Sequence, residues 1–146
     1  LGLLLAGEST ALSEPLGKFS IPLGIAFQIQ DDILGVFGAE EKLGKPVGSD
    51  IEEGKVTILV SRALELASKS EQEELLAILR RGAALSVSEI ERFRDIVRMS
   101  GALSSARELA ARYINEGRNA ILDVDMPDEP KRFLLGIADY MANREC

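Results

Sequence analysis

The sequence predicts an all-α fold. Apolar residues recur at the three- to four-residue spacing of a helix face in most parts of the chain. No segment alternates apolar and polar residues between turn signals, and β-branched residues do not cluster with aromatic ones, so no strand is predicted. Apolar residues make up 46% of the 146 residues, and neither repeats nor linkers interrupt them. We therefore expect one compact domain over residues 1–146.

Start and stop signals divide the chain into predicted helices. Ser86 with Glu89 predicts a capping box, Gly101 a left-handed helix end, and Met126-Pro127 a fresh turn before the last helix. The predicted helices lie near 1–11, 15–37, 55–69, 71–81, 88–99, 103–122 and 128–143, and 38–54 is the only long connection. Apolar stripes on the later helices predict ordinary packing: Leu75, Leu76 and Leu79; Ile90, Phe93 and Val97; Leu103, Leu109, Tyr113 and Ile114.

Charge and composition exclude some partners and predict a compartment. The 17 basic and 24 acidic residues give a net charge of -7, which argues against a nucleic-acid or anionic-membrane surface. Cys146 is the single cysteine, so no internal disulfide can form and we expect a cytoplasmic location. No run approaches the roughly 20 apolar residues of a membrane span. The first residues read like the middle of a buried helix without a cap, so we expect further chain upstream.

The helix over 15–37 has two unlike faces when it is projected at about 100° per residue. One face is an apolar arc, formed by Ile25, Ala26, Ile29, Ile33, Val36 and Phe37. The other carries adjacent acids, an amide and two glycines, namely Gly24, Gln28, Asp31, Asp32 and Gly35, with Phe27 at its flank. Such a face is unusual for a solvent-facing helix, because each glycine costs about 1 kcal/mol relative to alanine.

Two readings of this face are open. With apolar flanks, Asp31 and Asp32 would be partly desolvated and would repel each other unless a cation or hydrogen bonds compensated. Oxygen ligands without histidine or cysteine favour Mg²⁺, which takes one or two carboxylates along with water and substrate phosphate oxygens. The alternative is a solvated Asp-Asp patch with no ligand.

The following connection supplies positive charge among glycines. Lys45 and Lys55 lie in the segment Gly44–Lys55, where the glycines would let the backbone approach a bulky anion. Both lysines could reach diphosphate oxygens as point charges. The segment lacks the Walker pattern and no strand precedes it. An ordinary exposed turn is the alternative.

These motifs together resemble the second aspartate-rich region of the trans-isoprenyl diphosphate synthases. The resemblance is carried by Phe27-Gln28-Ile29-Gln30-Asp31-Asp32-Ile33-Leu34-Gly35-Val36-Phe37-Gly38, Gly44-Lys45-Pro46, Asp50, Gly54-Lys55 and Thr57. It implies part of an isoprenoid-synthase helical bundle, the C-terminal half of a homodimeric enzyme, most similar to bacterial geranylgeranyl or farnesyl types. The family's usual motif is Asp-Asp-x-x-Asp, whereas Gly35 occupies the third acidic position here.

The resemblance also implies a reaction and residue roles. An allylic diphosphate would be elongated with isopentenyl diphosphate, after Mg²⁺-assisted ionisation, to a linear trans-polyprenyl diphosphate of geranylgeranyl type. Asp31 would hold Mg²⁺, with Asp32 a weaker ligand, and Lys45 would contact the allylic diphosphate, so that Asp31 and Lys45 are the catalytic candidates. Lys55 would add positive charge, Asp50 would orient the loop or its lysine, and Phe27 and Gln28 would line the isopentenyl diphosphate side.

Alternatives to this function stay open at the level of sequence. The family's first aspartate-rich helix has no counterpart here, so we expect this chain alone to be inactive. One alternative is a non-catalytic helical subunit that regulates a catalytic partner. Another is a cyclising terpene enzyme of the same architecture, although the Gly-Lys-Pro and Gly-Lys-x-Thr loop fits chain elongation better.

Overall fold

Seven α-helices make up most of the chain that the computed structural model describes, which is residues 10–38, 49–82 and 85–143; these residues contain no strand. A single 3-10 turn, Thr10–Leu12, leads into the first helix. The helices are α1 Ser13–Phe37, α2 Ser49–Glu52, α3 Ile58–Leu66, α4 Lys69–Arg81, α5 Val87–Met99, α6 Ala102–Leu122 and α7 Asp128–Ala142. The all-α prediction is confirmed.

Most predicted helix boundaries agree with the observed ones to within two residues, which is the ordinary uncertainty of helix ends. Within the predicted helix 55–69 the observed helix is shorter at both ends, because Thr57 is its N-cap and Ser68 already caps α4. The predicted helix 1–11 lies almost entirely outside the described residues. The connection 38–54 was predicted without a helix, but it contains the single turn α2, whose Ile51 is 1% exposed. Burial of this one apolar side chain stabilises the turn, which packs against α4.

Two capping boxes define where α4 and α5 begin. At each start, a serine hydroxyl accepts from the backbone N–H three residues on, and a glutamate carboxylate accepts from the serine's backbone N–H. Ser86 with Glu89 was predicted, whereas Ser68 with Glu71 was not. Hydrogen bonding from the serines lowers the pKa of both glutamates. The predicted left-handed residue after α5 is Gly101, with φ +83°.

The chain divides into two compact units, and the boundaries fall inside two helices, after Phe27 in α1 and after Glu108 in α6. The described part of the first unit contains the N-terminal part of α1, most of α6, and α7. The second contains the rest of α1, α2 to α5, and the start of α6. The expectation of one domain over residues 1–146 stays a prediction.

The second unit has a core to which five of its helices contribute. α4 packs against α5 and α2, and α3 packs against α5. Its fully buried large side chains include Ile33, Ile51, Leu59, Leu75, Phe93 and Ile96. The stripes predicted for α4 and α5 supply Leu75, Leu79, Phe93 and Val97 to this core, while Leu76 and Ile90 are half-buried.

The buried stripe of α6 differs from the predicted one. Leu103, Leu109 and Tyr113 are only half-buried, and only Ile114 of that stripe is buried. The buried residues are mostly small, namely Ala102, Ala106, Ala110, Ile114, Gly117 and Ile121. Within the first unit, a Cβ atom placed on Gly117 would lie 2.8 Å from the Phe19 carbonyl oxygen and would overlap Leu23 Cδ1. At Gly117, α6 therefore lies too close to α1 to leave room for a side chain.

Among the described residues, no helix is both long enough and apolar enough to cross a membrane.

Candidate functional site

The C-terminal part of α1 has the two unlike faces that the sequence predicts. Ala26, Ile29, Ile33 and Val36 are at most 5% exposed. On the other face, Phe27, Gln28 and Asp31 are exposed and Asp32 is half-buried. Ile25, although predicted in the apolar arc, is 40% exposed. The helix therefore anchors itself through one side and presents carboxylates and an amide on the other.

The two carboxylates differ in surroundings. Asp32 accepts a hydrogen bond from Gln28 Nε2 to Oδ1 at 3.1 Å, across one helical turn. Asp31 is exposed, so the expectation that apolar flanks would partly desolvate its carboxylate is wrong. Ile29 and Ile33, two residues before and after it, are buried on the opposite face of α1, and the Asp31 carboxylate points away from that face. Within the described residues no hydrogen bond or ion pair engages the Asp31 carboxylate, so of the two it is the better candidate for binding a cation.

The connection after α1 is described only in its last part. Lys45, Gly44 and Pro46, which carry much of the loop prediction, lie outside the described residues. α2 ends in a Schellman motif: Gly54 N–H donates to Ile51 O at 3.0 Å, and Lys55 N–H donates to Asp50 O at 3.1 Å. Gly54 occupies the left-handed position with φ +64°. This turn returns the chain so that Lys55 lies beside Asp50.

Lys55 is held by two carboxylates. Its Nζ lies 2.6 Å from Asp50 Oδ1 and 2.9 Å from Glu53 Oε2. Hydrogen bonding to Asp50, and then to Glu53, raises the pKa of Lys55, so it stays an ammonium. Its side chain is still 47% exposed. The contact expected between Asp50 and a lysine is thus present, whereas contact of Lys55 with a diphosphate stays a prediction.

Gly35, at the third position of the acidic motif, lies directly under Asp50. A Cβ atom placed on Gly35 would lie 2.9 Å from Asp50 Cγ and closer still to its Oδ2. The Asp50 side chain is 16% exposed. The Asp50 carboxylate therefore occupies the space that a side chain at position 35 would need.

Two arginines of α5 hold the end of α1, and the sequence reading missed both. Arg94 Nε donates to Val36 O at 2.7 Å, and Arg94 also pairs with Glu91. The guanidinium of Arg98 lies 5.0 Å from the Phe37 ring centroid, at cation-π distance. Positive charge at the C-terminal end of a helix complements its dipole. The only sequence signal was their one-turn spacing on a single helix, which surface arginines commonly share.

The donor set of this face suits Mg²⁺ only in part. Among the described residues, no group of three or more acidic, histidine or cysteine side chains could hold a metal ion. Asp31 and Asp32 are oxygen donors on an accessible face, and Mg²⁺ usually takes just one or two protein carboxylates beside water and phosphate oxygens. Asp31 and Asp32 therefore match the one or two carboxylates that a protein usually contributes to a Mg²⁺ site.

Comparison with known proteins shows the class of protein to which this chain is similar. Residues 1–97 match the family model described as polyprenyl synthetase. A short chain isoprenyl diphosphate synthase of Methanothermobacter thermautotrophicus is 38% identical over 144 residues, 99% of this chain and 43% of that protein. The corresponding values for a geranylgeranyl diphosphate synthase of Methanosarcina mazei are 39%, 145 residues, 99% and 42%.

A solved structure shares the fold. The geranylgeranyl pyrophosphate synthase of Corynebacterium glutamicum, complexed with isoprenyl diphosphate and magnesium, superposes with a TM-score of 0.88 at 34% identity, covering 96% of this chain and 40% of that one. The chain belongs to the polyprenyl synthetase family. It spans less than half the length of the relatives named above.

Proposed function

We propose that this chain is the C-terminal portion of a prenyltransferase domain whose upstream half carries the first aspartate-rich motif. The whole protein would elongate an allylic diphosphate with isopentenyl diphosphate to a linear trans-polyprenyl diphosphate of geranylgeranyl type. The observation that carries the proposal is the exposed carboxylate face of α1, followed in the chain by the Schellman turn that holds Lys55. The relatives named as geranylgeranyl diphosphate synthases support it.

The residues of α1 have distinct proposed roles. Asp31, with Asp32 as the weaker ligand, would hold Mg²⁺, which when bound neutralises charge on a departing diphosphate. Gln28 keeps Asp32 oriented through its 3.1 Å hydrogen bond. Phe27, which is 50% exposed, would line the isopentenyl diphosphate side with Gln28 and offer an apolar surface from which water is excluded.

Lysine charge would act on the same diphosphate. Lys55 would place a permanent ammonium next to the developing negative charge, since its carboxylate partners raise its pKa. Lys45 would contact the allylic diphosphate directly. Lys55, Asp50 and Glu53 together carry a net negative charge, because two carboxylates pair with the one ammonium. Lys55 would therefore act through the fixed position of its ammonium and not through a net positive charge of the turn.

We expect this chain by itself to contain only part of the site. The family's first aspartate-rich motif has no counterpart in this chain, so we expect the chain alone to be inactive. In its full-length form we propose a cytoplasmic homodimer with Mg²⁺ as cofactor.

Turnover tests the function. Labelled isopentenyl diphosphate and farnesyl diphosphate would be incubated with Mg²⁺ and either this chain or the product of the complete reading frame, and products would be identified by mass spectrometry. A linear prenyl diphosphate made only by the complete protein is the expected result. A cyclic hydrocarbon would instead favour the terpene cyclase. Absence of turnover unless a second, distinct synthase is added would favour the regulatory subunit.

A further inference from the structure

The glycine at position 35 and the aspartate at position 50 occupy one space. Position 35 lies one helical turn after Asp31, on the same side of α1. A side chain there would meet Asp50, whose Cγ is 2.9 Å from the place of the missing Cβ atom. By contrast, a Cβ atom on Gly24 of the same helix would have no neighbour within 4 Å. Among the glycines of α1, position 35 alone has such a close neighbour.

We propose that the absence of a side chain at Gly35 leaves the space that the Asp50 carboxylate occupies. Asp50 is then a positioning residue that fixes Lys55 next to the acidic face of α1. On this reading the face has not lost its third carboxylate. The carboxylate comes from the following segment and lies against position 35. The steric part stands on geometry alone, and the purpose of holding Lys55 rests on the proposed function.

Two contacts of Asp50 and the burial of its neighbour Ile51 fix the position of its carboxylate. Its side chain is 16% exposed, so a partner must compensate its charge, and Lys55 Nζ does so at 2.6 Å. Its backbone carbonyl accepts from Lys55 N–H at 3.1 Å. Its neighbour Ile51 is 1% exposed and anchors the turn. With Gly35 beneath, the carboxylate is enclosed on several sides.

A double-mutant cycle in the full-length protein tests the steric coupling without any metal. Gly35→Asp would restore the family's usual third acid, yet it should lower the thermal unfolding midpoint by about 3–8 °C, through overlap and like-charge repulsion with Asp50. The same change in an Asp50→Gly background should cost less than about 2 °C. Gly24→Ala, on the same helix with open space, is the matched control and should not lower the midpoint.

Chemical labelling tests the positioning of Lys55 by a readout that a purely structural role would not move. Acylation of Lys55 by a soluble anhydride would be quantified by peptide mass spectrometry and normalised to Lys18, an exposed lysine paired with Glu14. Asp50→Asn should raise the relative labelling of Lys55 several-fold, because the ammonium loses its main partner. Asp50→Glu should restore part of the protection.

The outcomes separate this inference from the proposed function. Additive effects of Gly35→Asp and Asp50→Gly, or unchanged labelling of Lys55 in Asp50→Asn, would overturn the inference even if the protein makes prenyl diphosphates. Non-additive effects with increased labelling would support it even if no turnover is found, and the proposed function would then fail separately.

Discussion

Replacing Gly117 with alanine should destabilise the protein, although alanine is the better helix former. The added methyl group would lie 2.8 Å from the Phe19 carbonyl oxygen and would overlap Leu23 Cδ1. The leucine can change rotamer, but the carbonyl belongs to the α1 backbone and can move only with the helix. Overpacking of this kind costs about 1–3 kcal/mol. The helix propensity gained is about 1 kcal/mol.

Gly136→Ala is the matched control for this prediction. Gly136 also lies in a helix of the first unit, is exposed, and would place its Cβ atom in open space. Alanine there should gain up to about 1 kcal/mol, so the two variants should differ by about 1–3 kcal/mol.

Urea unfolding of the full-length protein followed by far-ultraviolet circular dichroism measures that difference directly. A Gly117→Ala protein as stable as Gly136→Ala would refute the close approach of α1 and α6. A lower midpoint with an unchanged slope would support it, because the native and unfolded states would then expose the same surface as before.

Further variants test the turn, the cap and the acidic face. Gly54→Ala should cost about 1–2 kcal/mol in urea unfolding, because alanine is strained at φ +64° and its Cβ atom would lie 3.2 Å from the Leu79 carbonyl oxygen. Ser86→Ala should lower the thermal midpoint and reduce its pH dependence. The folded pKa of Glu89 lies below its ordinary 4.5, so its contribution is present above pH 4.5 and is lost as pH falls through the folded pKa. If the thermal midpoint of Ser86→Ala fell with decreasing pH as steeply as that of the parent protein, this prediction would be contradicted. Asp31→Ala should cut turnover of the full-length protein sharply while leaving its thermal midpoint within about 1 °C, since surface substitutions usually change stability little; unchanged turnover would remove Asp31 from the metal site.

Parts of the site that depend on residues close together in the chain could be predicted from the sequence, whereas parts that depend on packing could not. The two faces of α1 were predictable, because helical periodicity places Asp31 and Ile33 on different sides whatever surrounds the helix. The turn at Gly54 was not predicted, although its glycine and the buried Ile51 are both visible in the sequence. A single helical turn has too few residues to show a period, so only its burial identifies it.

The exposure of Asp31 and the buried stripe of α6 were read wrongly for one reason. Desolvation of Asp31 was predicted from its apolar flanks, and the stripe of α6 from apolar residues at helical spacing, yet burial depends on which elements pack against a face. Leu103 and Leu109 are larger and more apolar than Ala106 and Ala110, but the alanines are the buried ones. At Gly117 the close approach of α1 leaves no room for a side chain, and a hydropathy pattern does not show which helices are close.

The sequence by itself determined the all-α class, most helix boundaries, the capping box at Ser86 and the family resemblance. These depend on local propensity, capping and motif spacing, all of which act within a few residues. The tertiary structure alone decided that Asp50 lies on Gly35, that Arg94 and Arg98 hold the end of α1, and that Gly117 meets α1. Each joins residues far apart in the chain, and only the packing of helices brings such residues within a few ångströms.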